Sequence, residues 1–170
     1  MPVLTPLLDS SPGWRKLPAG SRTLWVSGPL TETAEREMAA RAAQIETADL
    51  AGWLDGLDGH FALVLTGEDW SAAAVDPSRT IPLIHAERGG AVFVAQSGAP
   101  LAEQLGLGPD DMDDAAARAF ALSGFTIGDT TLYRGVRALL PGQYLFCRAG
   151  ASPEVHAYHT WRPWQPGDAA

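Results

Sequence analysis

The sequence of 170 residues contains a single cysteine, Cys147. An intrachain disulfide is thereby excluded, and so is a zinc site built on paired cysteines. Positive charge is scarce as well. Twelve basic residues stand against 20 acidic ones, for a formal charge of −8. Such a surface repels phosphate backbones and argues against nucleic acid as a partner. No run comes near the roughly 18 apolar residues of a membrane helix, so no membrane partner is expected. The opening Met1-Pro2-Val3-Leu4-Thr5-Pro6 lacks the basic and apolar stretches of a signal peptide, which makes the cytoplasm the expected compartment. Internal repeats and low-complexity segments are missing too.

What is present suits one compact domain. Hydrophobic residues make up 46% of the chain, enough for a sizeable core, and the length is too short for two ordinary domains. The 18 glycines and 13 prolines imply many turns and short elements. Four of those prolines, Pro2, Pro6, Pro12 and Pro18, fall in residues 1–20, which read as an irregular arm. Leu24 to Val26 is a strand candidate. Thr31 is a plausible N-cap, and Met38, Ala42 and Ile45 recur at helical spacing behind it. A second short helix is predicted over 48–57.

From there the texture is that of an antiparallel meander, with strands predicted over 60–65, 70–75, 82–86 and 91–95 and tight turns between them. Helices are predicted over 100–105 and from about Asp113 to Leu122, the latter ended by Gly124. Strands over 130–136 and 142–147 follow, with a last one over 155–158. Strands, helices and strands again, without βαβ alternation, predict an α+β layered fold. The globular domain is expected over 21–160, and 161–170 read as a tail or linker.

Five phrases of the chain resemble, in order, the class II glutamine amidotransferase (glutaminase) domain of the asparagine synthetase family. Leu57-Asp58-Gly59-His60-Phe61-Ala62 resembles L-x-G-x-F-A. Val75-Asp76-Pro77 with Pro82-Leu83 resembles R-D-x-x-G-x-x-P-L-Y. Phe93-Val94-Ala95-Gln96-Ser97 with Leu101 resembles F-A-S-E-x-x-A-L. Thr131-Leu132-Tyr133-Arg134-Gly135-Val136 with Leu139, Pro141 and Gly142 resembles T-L-F-x-G-I-x-x-L-x-P-G, and Tyr158-His159-Thr160-Trp161 resembles the closing Y-x-x-W. The resemblance implies an N-terminal-nucleophile hydrolase-like αββα sandwich, two antiparallel sheets facing each other between layers of helices.

It also implies a reaction for which the residues are wrong. The family's nucleophile is a cysteine whose own α-amine serves as base, and it must be the first residue after methionine removal. Pro2 stands there. Cys147 has its α-amine in a peptide bond, and packing in a strand accounts for it. The oxyanion-hole asparagine of F-N-G-E is replaced in Val26-Ser27-Gly28-Pro29, a loss that typically costs about 10²–10³ in rate. The acidic clamp for the substrate amine is replaced by Gln96-Ser97. No R-G-x-D segment supplies the carboxylate-binding arginine, and Arg22 is a stand-in in the wrong context. No residue is therefore assigned a catalytic role, and Ser27, Gly28, Asp76, Gln96 and Ser97 are taken as the remnant of a substrate pocket.

Rival chemistries are weaker. His60, His85, His156 and His159 are scattered, and the strand reading of 155–158 denies the last two the i, i+3 spacing of helical metal ligands. The acidic run Asp110, Asp111, Asp113 and Asp114 lacks the pattern of a calcium loop, and Gly106-Leu107-Gly108 lacks the lysine and third glycine of a phosphate loop. No metal is expected. Trp53 and Trp70 are assigned to the core, whereas Trp14, Trp161 and Trp164 are assigned with Arg162 to a partner surface.

In the resembled family an ATP-pyrophosphatase synthetase domain follows, and its S-G-G-x-D motif is missing from this sequence. Relatives with a degenerate glutaminase domain include β-lactam synthetases and lasso-peptide cyclases. They adenylate a carboxylate with ATP and close an amide from an internal amine, without ammonia. The resemblance thus implies a supporting role beside an ATP- and magnesium-dependent synthetase, on the same or another chain. A binding module on the same fold and a weak glutamine amidohydrolase are the alternatives.

Overall fold

The computed structural model describes residues 3–9 and 11–161. Local chemistry accounts for the helices. The first, α1 (Glu32–Gln44), starts where the Thr31 hydroxyl accepts the Ala34 amide at 3.2 Å. No glycine ends it. Instead the Arg22 guanidinium donates to the carbonyls of Ala42 and Ile45, at 3.1 and 2.8 Å, while stacked over the Trp70 ring. A short turn leads into α2 (Leu50–Asp55). Further on, α3 (Gly98–Leu105) and α4 (Asp114–Ser123) both end on left-handed glycines, Gly106 and Gly124. Asp113 caps α4 by accepting the Ala115 and Ala116 amides, and the Ala116 contact above all holds its carboxyl below the usual range.

Ten strands form two sheets among the described residues. The larger runs β10-β9-β5-β4-β3-β2, comprising Glu154–Ala157, Gln143–Arg148, Trp70–Val75, Ala62–Thr66, Arg22–Ser27 and Trp14–Ala19. The smaller runs β1-β7-β6-β8, comprising Leu4–Pro6, Ala91–Ala95, Ile84–Arg88 and Val136–Ala138. Period-two alternation sorts side chains to opposite faces. On the larger sheet, Leu24, Val26, Leu63, Leu65, Ala72 and Ala74 pack under α1 and α2. Their neighbours Trp25, Ala62, Val64, Ala73, Val75, Leu145 and Cys147 face Val92 and Val94 of the smaller sheet. The smaller sheet turns Ala86, Ala95 and Val136 towards Leu101 and Leu105 of α3. Helix, sheet, sheet and helix layers follow, and the fold is the α+β sandwich that the resemblance implies.

Several expectations need correction. Residues 1–20 are not an irregular arm, since β1 and β2 lie within them. Their prolines are tolerated because both strands are sheet edges, where a missing amide breaks no ladder. The smaller sheet is not wholly antiparallel, because β1 runs parallel to β7. The expected meander is split as well: β4 and β5 belong to one sheet, β6 and β7 to the other, and residues 76–83 cross between them. The strand expected over 130–136 shrinks to Val136–Ala138. Upstream, Thr131 Oγ1 takes the Tyr133 amide at 3.2 Å, and such local bonds compete with a ladder. Trp14 is not a free surface residue either, since it packs on the core between the sheets.

Phe61 carries the largest fully buried side chain, with 1% of its surface exposed. Phe61→Ala should lower stability by about 3–5 kcal/mol in equilibrium denaturation, the usual cost of deleting a buried aromatic ring. A loss below about 1 kcal/mol would place Phe61 outside the core that α1 and α2 share with the larger sheet.

Candidate functional site

The structure distributes the five remnant residues over one end of the sandwich. Ser27, the last residue of β3, is buried and pairs in the ladder with Trp14 of β2. Gly28 follows at φ +143°, and a Cβ there would lie 2.3 Å from the His60 carbonyl oxygen. Glycine is thus required by close backbone approach, whatever its ancestral role. The Gly28 carbonyl accepts from Arg15 at 3.0 Å, and Arg15 is in turn ion-paired with Glu35.

Gln96 and Ser97 leave the end of β7 and open α3. The Trp14 indole N–H donates to Gln96 Oε1 at 2.8 Å. An indole nitrogen only donates, so the Gln96 amide must turn its oxygen to the tryptophan and keep its NH2 group as a donor elsewhere. Among the described residues, Ser27, Gly28 and Asp76 have no direct hydrogen bond to Gln96 or Ser97. Trp14 is the link between the two halves.

Asp76 is 1% exposed, and its carboxylate is spent on its own turn. It accepts the amides of Phe61, Ser78 and Thr80 at 3.3, 2.7 and 3.0 Å, together with the Thr80 hydroxyl. Oδ2 takes three of these contacts and Oδ1 the Ser78 amide, so the carboxylate is engaged by the backbone and hydroxyl around it. Arg22, the stand-in for a substrate-binding arginine, is committed to the end of α1. Trp161 is 63% exposed, yet its indole N–H donates to the Pro77 carbonyl and its ring meets His159 edge-on. Pro2, Arg162 and Trp164 lie outside the described residues. His156 and His159 take separate carboxylates, Glu154 at 3.1 Å and Asp55 at 2.8 Å. No group of three potential metal ligands occurs among the described residues, and none of their helices is long and apolar enough to cross a membrane.

Sequence reasoning missed Arg79. Its φ is +51°, the only non-glycine residue with positive φ among the described ones. Holding a residue with a Cβ there costs on the order of 1 kcal/mol relative to glycine. The signal was present, because counting along D-x-x-G from Asp76 puts Arg79 in the glycine position. Arg79, Gln96 and Ser97 line one cavity of about 460 Å³ with Phe120, Phe125 and Tyr133. A larger hollow, about 500 Å³, lies between β2 and α1 and holds none of the remnant residues.

The sequence matches no protein-family profile and no curated protein sequence. Among solved structures, the glutamine phosphoribosylpyrophosphate amidotransferase from B. subtilis, complexed with ADP and GMP, is similar over 85% of this chain and 31% of that one, at 16% identity and a TM-score of 0.48. The chain spans about a third of that protein's length, and the likeness is one of chain path.

Cys147, in β9, is 1% exposed between the two sheets. Burial, with a smaller contribution from the charge of Glu87, pushes its thiol up to about 12. The thiolate is the reactive form, so this sulfur is inert near neutrality. Ellman's reagent at pH 8 should leave the folded protein unmodified and titrate one thiol once denaturant is added; immediate reaction of the folded protein would contradict the placement. The raised value also fixes a sign. The thiol's contribution to stability is complete below the ordinary 9.0 and is lost as pH rises towards 12. Cys147→Ala should flatten the stability curve over that window.

Proposed function

We propose that this chain is a catalytically degenerate glutaminase-like domain that supports an ATP-dependent, amide-forming synthetase of the asparagine synthetase kind. The observation that carries the reading is that the remnant residues are committed to bonds within the chain and do not converge on one carbonyl. The Trp14 indole donates to Gln96 while its backbone pairs with Ser27, and the Asp76 carboxylate takes the amides of Phe61, Ser78 and Thr80. Hydrolysis of an amide needs a nucleophile, a base and an oxyanion site within reach of one carbonyl. The sequence's single cysteine is buried elsewhere and held as a thiol.

A synthetase that adenylates a carboxylate with ATP and magnesium, and then closes the amide with an amine already on the substrate, has no use for ammonia. A domain that keeps its packing glycines and core while its chemistry lapses suits such a system. Support for a partner surface comes from two side chains at the end of α4 and in the loop behind it. Leu122 is 90% exposed and Ile127 70%. Covering each would contribute about 1.5–3 kcal/mol. Trp161, with Arg162 and Trp164 after it in the sequence, is proposed as a further part of the interface. A second reading, a binding module that acts without a synthetase, has the cavity at Arg79 in its favour.

Three measurements test the proposal. The purified chain with millimolar glutamine should release no ammonia above the buffer control. Where a synthetase reading frame lies beside it in the native host, the chain should be needed for that enzyme's ATP–pyrophosphate exchange. Leu122→Asp combined with Ile127→Asp should leave the melting temperature unchanged and weaken the association at least about tenfold, or 1.4 kcal/mol. Glutamine turnover by the chain, or exchange that proceeds equally well without it, would overturn the proposal.

A further inference from the structure

The cavity at Arg79 has a composition at odds with the rest of the molecule. The chain carries a formal charge of −8, yet none of the residues lining this cavity is acidic and one, Arg79, is a cation. The Nε of Arg79 is buried and takes no hydrogen-bond partner among the described residues. Gln96, on the same wall, spends its oxygen on Trp14 and retains its NH2 group. Ser97 and Gly98, where α3 begins, also border the space. The Ser97 side chain makes no capping bond there, so the first amides of the helix lack a side-chain acceptor.

The opposite wall is apolar. Ile84 and Val136 of the smaller sheet form its floor, and Phe120 and Phe125, 46% and 61% exposed, stand at its margin. The hydroxyls of Thr126, Thr130 and Thr131 are already donated to nearby carbonyls. Donors without a carboxylate, together with exposed aromatic surface, describe a specific kind of guest. It is a small molecule with an anionic head and an apolar body, and about 460 Å³ lies within the usual size of small-molecule sites.

We infer that this cavity binds a small organic carboxylate, with Arg79 as the group that pairs with its head and Phe120 and Phe125 as the walls that cover its body. A guanidinium offers a planar fork that matches a carboxylate bidentately, and the low charge density of the surrounding wall strengthens the pair. The strained backbone supplies an independent argument. Glycine would hold φ +51° at less cost, and the arginine side chain is what glycine lacks. The inference stands whether or not the chain serves a synthetase, because it rests on the cavity alone.

The test uses the full chain and three probes: 3-phenylpropanoate, octanoate and the uncharged 3-phenylpropanamide. In amide-detected NMR titrations, both carboxylates should shift the backbone amides of Gln96 to Gly98 and of Thr130 to Tyr133. The uncharged amide should bind at least about tenfold more weakly. Arg79→Gly should weaken carboxylate binding by a similar factor while the melting temperature stays level or rises, because glycine takes the backbone conformation without strain. Should that variant fail to fold, Arg79→Gln serves for the same comparison. Absent shifts in those two segments, equal binding of 3-phenylpropanoate and its amide, or unchanged affinity in the Arg79 variant would each overturn the inference. Loss of carboxylate binding without any change in synthetase support would separate this site from the role proposed above.

Discussion

The buried carboxylate of Asp76 anchors the crossing between the two sheets to the end of the larger one. The chain leaves the larger sheet at Val75 and must reach the smaller sheet by Ile84. An irregular crossing between sheets exposes backbone groups that no ladder satisfies. Asp76 supplies the acceptors: its two carboxylate oxygens take the amides of Phe61, Ser78 and Thr80 and the Thr80 hydroxyl. Its own amide returns to the Phe61 carbonyl at 3.0 Å, and its carbonyl receives Arg79 and Gly142 at 2.9 and 3.2 Å. One residue thus ties the start of β4, the crossing and the start of β9. A carboxylate this deep is tolerable only because both oxygens are filled. Tyr158 reflects the same site, with its hydroxyl on the Val75 carbonyl and its phenol pushed up first by burial and then by the Asp76 charge.

How much of this was legible in the sequence follows from how local each cause is. The caps at Thr31, Asp113 and Gly124 depend on a few adjacent residues, and those helix ends were readable. So were β5, a six-residue run buried on both faces, and β9, where Leu145 and Cys147 alternate with less buried neighbours. The split of the expected meander was not readable, because tight turns look alike whether the next strand stays in its sheet or leaves it. Nor were β1 and β2, where prolines that exclude a central strand are harmless at an edge. The competition that shortens β8 turns on a hydroxyl at Thr131 choosing its own turn over a neighbouring strand.

The candidate site divides in the same way. Absent chemistry was readable, because a nucleophile, a base and an oxyanion donor are particular residue types in particular places. The internal bonding of the remnant was not, since Trp14 and Gln96 meet across 82 residues of sequence. The assignment of Trp14 to a partner surface failed for that reason: its core comes from a strand pairing that the prolines concealed. A cavity built from threonines, an arginine and two phenylalanines carries no motif at all. Only the arginine in the glycine position of D-x-x-G marked it.

Rigidity and binding meet in the same segment. Arg79 lies three residues after Asp76, and its amide donates to the Asp76 carbonyl. The bonds that make the crossing possible also hold the Arg79 backbone at its strained φ, so that backbone needs no further ordering when a guest arrives. Fixing one residue's backbone on a free loop would cost about 1–2 kcal/mol, and that cost is met here by the fold. The opposite wall is of another kind. Phe120 and Phe125 sit at the end of α4 and in the loop behind it, where Ala116 is the one buried residue of the helix. An anion would therefore be fixed at its head by the most constrained turn of the chain and covered at its body by one of the least buried elements. That asymmetry would give selectivity for the charged group and tolerance for the shape of what it carries.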